Sequence, residues 1–238
     1  MHQPQRPGKA AEAVALNRRA TFLRHACVGG TGMIHRDFPF PGLGPGTMLL
    51  GSEGEIPVEW LAPGDRLITR DHGAQMVQHV VRLRRMPSGA VLPPPIVFLP
   101  GEYGPGGKLT EKLRVAPGTR GLVKRPECEP DFGTDEVLAR FGDLTRRSEP
   151  RRDATMGALT YHLVLMQRHE IINAGSLWVE STDADTAARL DLPAAVRRVS
   201  ALLRPGARAP RRCLTRDEAV LIREKCPRDL SLLDLLAA

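Results

Sequence analysis

Pro45-Gly46-Thr47-Met48-Leu49-Leu50-Gly51, then Gly54-Glu55-Ile56-Pro57-Val58-Glu59-Trp60-Leu61, then Pro63-Gly64-Asp65-Arg66-Leu67-Ile68-Thr69-Arg70-Asp71-His72-Gly73: this stretch alternates short apolar runs with turn residues. Thr47–Leu50 is long enough for a short strand and too short for a helix. Ile56–Leu61 reads as a second strand, closed by Pro63-Gly64-Asp65. There the proline presets φ, the glycine accepts a left-handed conformation and the aspartate bonds its own backbone. Arg66–Arg70 alternates polar and apolar side chains, the period of a half-buried strand. Asp71-His72-Gly73 fits a three-residue hairpin loop with Gly73 left-handed.

The same texture continues outward. Met76–Leu83 and Ile96–Leu99 read as strands on either side of Pro93–Pro95. Lys112–Val115 and Gly121–Lys124 flank the turn Pro117-Gly118, and Leu159–Met166 and Glu170–Ala174 flank Gln167-Arg168-His169. With 23 glycines and 21 prolines, the pattern predicts an all-β domain of short strands. Upstream, 10–26 reads as a short helix broken by Gly29, Gly30 and Gly32. Downstream, Pro193–Leu203 has helical spacing, Thr215-Arg216-Asp217-Glu218 is a capping box opening a helix to about Lys225, and Asp229–Leu236 reads as a third helix. The expected organisation is an N-terminal lead over 1–41, a β domain over 42–185 and a small helical C-terminal tail over 186–238.

Composition bounds the function classes. The chain has 238 residues, 42% hydrophobic and 26% charged, which suits a soluble globular protein. Aromatics are 4%, so the core is expected from Val, Leu, Ile and Ala. The net charge of +7 rests largely on arginine runs: Arg82, Arg84, Arg85; Arg146, Arg147, Arg151, Arg152; Arg204, Arg208, Arg211, Arg212. These are expected to be solvated loops. They lack the interleaved aromatics that stack bases, so an acidic protein is a better partner than nucleic acid. Cys27, Cys128, Cys213 and Cys226 form no Cys-x-x-Cys pair, so no zinc site is expected, and free thiols fit a reducing cytoplasm. No apolar run reaches the ~18 residues of a membrane span, and no secretory leader is expected. Gly101–Lys108 is glycine-rich, but Pro105 removes an amide that a phosphate cradle needs, so it reads as a loop between strands. Trp60 and Trp178 are expected at core or rim, and no cofactor is expected.

Three blocks resemble the Hint (Hedgehog/intein) domain family in its bacterial branch. The opening block runs from Pro45-Gly46-Thr47 to Asp71. The central block runs from Gly101 through Leu109 to Leu113-Arg114-Val115-Ala116-Pro117-Gly118-Thr119-Arg120. The closing block is Tyr161-His162-Leu163, Arg168-His169-Glu170-Ile171-Ile172-Asn173-Ala174-Gly175 and Glu180-Ser181. The likeness spans roughly 42 to 182, with a weaker echo over 214–222. It implies a horseshoe of short strands and, in the family, autocatalytic cleavage of the peptide bond before the domain's first residue, through a thioester.

That chemistry needs a thiol or hydroxyl at the first position. The resemblance places Gly42 there, which has no side chain. The family's central block carries a histidine that protonates the leaving nitrogen; this chain has Thr119, which does not titrate near neutral pH. Many members carry aspartate where this chain has Gln167. Losing the nucleophile alone costs about 10⁶ in rate, so no intact catalytic residue is expected. Thr47, His162 and His169 remain nearby; the two histidines read as structural, His169 as a turn residue bonding backbone. The expected role is a binding or scaffold module without self-processing. The alternatives are self-cleavage through a displaced nucleophile such as Cys27 or Thr47, and a basic nucleic-acid-binding module.

Overall fold

The computed structural model describes residues 39–86, 89–104, 107–146, 159–190 and 209–236. The chain divides into two compact units, Met1–Ile34 and His35–Ala238, and every described residue lies in the second. The expected helices over 10–26 and 193–203, and Cys27, lie outside the described residues.

The strands are β1 (Met48–Gly51), β2 (Gly54–Pro57), β3 (Arg66–Thr69), β4 (Gly73–Leu83), β5 (Ile96–Phe98), β6 (Tyr103–Gly104), β7 (Gly107–Lys108), β8 (Leu113–Val115), β9 (Arg120–Lys124), β10 (Glu136–Arg140), β11 (Tyr161–Met166), β12 (Ile171–Ala174), β13 (Leu177–Glu180) and β14 (Arg212–Cys213). Ten join one curled sheet in the order β11-β4-β3-β1-β12-β13-β9-β10-β14, with β2 on β1. The fold is all-β, as the turn pattern predicted. The curl has a visible cause in β4. Its first half pairs with β3, from Gly73 opposite Thr69 to Met76 opposite Arg66, and its second half pairs with β11. Between the halves the register slips at Gln78, a bulge that bends and twists the strand. β1 lies at the centre, paired with β2, β3 and β12, so the opening and closing blocks meet there.

Local turn chemistry is realised as read. Gly73 has φ +63° and Gly64 has φ +100°. The Asp65 carboxylate accepts from the Ala62 amide at 2.8 Å. Thr215 and Glu218 form the reciprocal capping box of the helix Arg216–Lys225.

Other readings are corrected. The second strand is β2 and stops at Pro57, because Val58–Trp60 turn and Trp60 stands 77% exposed, outside the core. The glycine-rich segment carries a small hairpin of β6 and β7. Asp229–Leu236 holds only the 3-10 turn Leu233–Leu235, because the Asp234 carboxylate bonds Ser231 and Leu236 leaves the turn to bridge Val123.

The C-terminal segment is built into the β core. β14 adds parallel to β10, and Leu214, Ile222, Leu232, Leu233, Leu235 and Leu236 are buried in the cluster that holds Val123, Val137 and Phe141. Of the described arginines in the runs, Arg82, Arg84 and Arg85 are exposed as expected, whereas Arg146, Arg211 and Arg212 are clamps. Arg146 donates to the carbonyls of Arg223, Cys226, Pro227 and Arg228, satisfying the open C-terminal end of the helix. Arg211 bridges Asp71 and Glu136, each at 2.7–2.8 Å. Burial works to raise the Glu136 carboxyl, but the Arg211 and Arg70 guanidiniums overcome it and hold the group down at about 2. Arg212 pairs with Glu218 and lies over the Phe132 ring.

Candidate functional site

Three sequence-distant segments close around Gly42. Leu43 bridges antiparallel to His162 on one side and Val115 on the other. Its amide donates to the His162 carbonyl at 2.9 Å, and the His162 amide returns a bond at 2.8 Å. The Ala116 amide donates to the Gly42 carbonyl at 2.8 Å. The Thr119 hydroxyl completes the arrangement: it accepts from the Gly42 amide at 2.9 Å and donates to the Gly42 carbonyl at 3.1 Å. One buried hydroxyl therefore satisfies both backbone groups of residue 42.

The space is closed as well. A Cβ on Gly42 would stand 3.0 Å from the Tyr161 Cβ and 3.2 Å from the Phe40 ring. Phe40 is buried, its ring edge-on to Tyr161 at 5.5 Å. The Pro39–Phe40 backbone passes directly over Gly118, where any Cβ would collide with it.

With this geometry in place, the comparison with known families is decisive: residues 41–186, more than half of the chain, match the model of the Hint domain. The chain belongs to the Hint domain family. Neither the curated proteins nor the solved structures provided a match.

Within this Hint domain the other expected site residues divide. Thr47 is fully buried, but its hydroxyl donates to the Arg114 carbonyl at 3.1 Å and accepts from the Arg114 amide at 3.3 Å. It holds β1 to the central block. His162 is 3% exposed, with Nδ1 3.3 Å from the Leu43 carbonyl oxygen. A carbonyl only accepts, so Nδ1 carries the proton. Burial lowers the His162 pKa below its ordinary 6.5, outweighing the Leu43 carbonyl and Glu59.

The unfolded chain therefore takes up a proton at His162 at a higher pH than the folded one. The resulting stability is present above about 6.5 and is lost as pH falls toward the lowered value. Urea unfolding at about pH 7.5 and about pH 5 should show the loss, at most about 1.4 kcal/mol per pH unit for one proton. His162→Gln should flatten that slope; an unchanged slope places the titration elsewhere.

Gln167 does not join the Gly42 cluster. It follows Met166 at the far end of β11, five positions beyond His162, which is roughly 16 Å of extended chain. Its side chain lines a separate cleft with Arg66 and His72.

His169 lies in the turn between β11 and β12, as the sequence suggested, but its ring meets a carboxylate rather than backbone. Its Nε2 lies 3.1 Å from Glu180, whose carboxylate also takes the Arg120 amide and guanidinium, each at 2.8 Å. This ion pair binds the closing block to the central block beside Thr119. Sequence reasoning missed it, because Arg120 and Glu180 are 60 positions apart and no local spacing signals the pair.

His169, Glu180 and Asp183 also place donor atoms within 4.8 Å of one another. Both Glu180 oxygens are engaged by Arg120, and both Asp183 oxygens bond Thr186 at the start of the helix Ala184–Arg189. This donor set is committed to protein partners, and we assign it no ion.

Proposed function

We propose that this Hint domain keeps the family fold without its self-cleavage and serves as a binding or scaffold module in the cytoplasm, with an acidic protein as partner. The observation that carries the reading is the Thr119 hydroxyl held on both backbone groups of Gly42. In the family reaction, a side chain on residue 42 attacks the carbonyl of residue 41, and an acid protonates the nitrogen of residue 42 as the peptide bond breaks. Here residue 42 offers no nucleophile. Its N–H faces a lone pair, and the hydroxyl proton of Thr119 points to the carbonyl rather than to the leaving nitrogen. A hydroxyl that does not titrate near neutrality supplies no general acid.

Cleavage through Thr47 is disfavoured by its commitment to Arg114. Nucleic-acid binding is disfavoured because the arginine runs carry no interleaved aromatics on which bases would stack. The buried thiols are not poised to react: burial, then Cys226, pushes Cys128 up to about 11.

Mass spectrometry tests the reading. The unmodified chain should keep its intact mass during prolonged incubation with hydroxylamine, which traps thioesters. A fragment starting within a few residues of Gly42 overturns the proposal. Gly42→Cys with Thr119→His should yield a trace of cleavage before residue 42, limited by the 3.0 Å approach to Tyr161. Adding Gln167→Asp should not raise it, since that residue lies at the other end of β11.

A further inference from the structure

A cleft of about 470 Å³ opens between the β3–β4 hairpin and the β11–β12 turn, at the bulge where β4 changes partners. It shares no residue with the Gly42–Thr119 cluster. Bulges recur beside binding sites because they re-aim side chains, and the volume lies in the range of small-molecule sites.

Arg66, on β3, and Arg168, in the β11–β12 turn, both line the cleft. Among the described residues, neither guanidinium has a carboxylate partner, unlike Arg70, Arg120, Arg125, Arg211 and Arg212. His72 lines the same cleft with its side chain 44% exposed. Its Nδ1 is held at 2.9 Å by Glu170, a carboxylate 2% exposed, which fixes the ring and leaves Nε2 for a ligand. This is the support that fixes a functional histidine's orientation: a buried carboxylate behind the ring. Gln78 and Gln167 add amide donors, and Met76 and Ala74 give apolar surface.

We propose that this cleft binds a small phosphate monoester. Two guanidiniums from separate elements, without a carboxylate partner among the described residues, and amide donors in the same lining supply more hydrogen bonds than a carboxylate's two oxygens accept. They suit a dianion with three terminal oxygens, and guanidinium forks engage such groups bidentately. The apolar surface of Met76 and Ala74 takes the ester's carbon portion. The site is independent of whether the chain cleaves itself, so its failure leaves the Gly42 reading intact.

The test is a titration of the full chain with glycerol 3-phosphate, with inorganic phosphate as a second arm, by calorimetry and by amide NMR shifts. Saturable binding is expected, with shifts at Arg66, His72 and Arg168. The ester should bind more tightly than phosphate alone if the apolar surface contributes; equal affinity assigns the site to free phosphate. Arg66→Gln and Arg168→Gln should each weaken binding about tenfold, and His72→Gln should weaken it less, while Arg84→Gln should leave it unchanged. No saturable binding in either arm overturns the proposal. So does an equal loss on Arg84→Gln, which would mark the attraction as nonspecific surface charge.

Discussion

A chain ending at residue 208 should give no cooperative thermal transition. The residues removed include Leu214, Ile222, Leu232, Leu233, Leu235 and Leu236, each no more than 2% exposed. At roughly 1.5–3 kcal/mol for each buried aliphatic side chain, their gross contribution rivals the roughly 5–15 kcal/mol net stability of a whole domain. Deletion also removes the cost of ordering the segment, so the decisive loss is on the side left behind. Val123, Val137, Ala139, Phe141 and Leu144 would face water, β10 would become an edge, and Glu136 would lose Arg211. Near-UV circular dichroism and dye binding should report a collapsed chain without fixed packing. A gentler variant keeps the prediction quantitative: Leu235→Ala in the full chain should cost about 2–5 kcal/mol in urea unfolding. A truncated chain melting within a few degrees of the full one would make the segment a true appendage.

Gly118→Ala should be the most damaging single methyl group in the domain. Its Cβ would lie 2.5 Å from the Phe40 amide nitrogen and 2.7 Å from the Phe40 carbonyl oxygen. Both are backbone atoms, so no rotamer change relieves the contact, and the segment through Pro39 and Phe40 must lift. Overpacking typically costs about 1–3 kcal/mol, and the upper end applies where backbone must move. Lifting the segment pulls Phe40 off Tyr161, and Phe40→Ala alone should cost about 3–5 kcal/mol. The two substitutions share one cause, so the double variant should cost clearly less than the sum. Additive effects would mean that residues 39 and 40 do not run over Gly118 in solution.

The placement of Phe40 bears directly on function. Residues just before a Hint domain's first position are those released when the bond breaks. Here Phe40 is a core residue and Gly42 is bonded through both backbone groups. This upstream segment therefore contributes to the domain's own stability. The glycine at position 42 and the packing at position 40 both support the proposed absence of self-cleavage.

Much of this was legible in the chain itself, and the reason is range. Pro63-Gly64-Asp65, the left-handed Gly73 and the Thr215–Glu218 capping box act within three or four residues, so their chemistry is written in adjacent letters. Three blocks in order were enough to reveal the family, and the resemblance pointed to Gly42 and Thr119 as the positions to compare.

Tertiary structure alone decided what meets at those positions. The Thr119 hydroxyl meets Gly42 across 77 positions, Arg120 meets Glu180 across 60, and Arg211 reaches Asp71 across 140. Such meetings depend on strand order and register, which no local pattern fixes. Gln167 belonged with Gly42 by resemblance, yet β11 carries it to the opposite end, beside Arg66 and His72. Trp60, expected at core or rim, stands exposed, because β2 ends at Pro57 and the chain then turns. The sequence set which side chains the strands offer; the closure of the sheet determined which of them face one another.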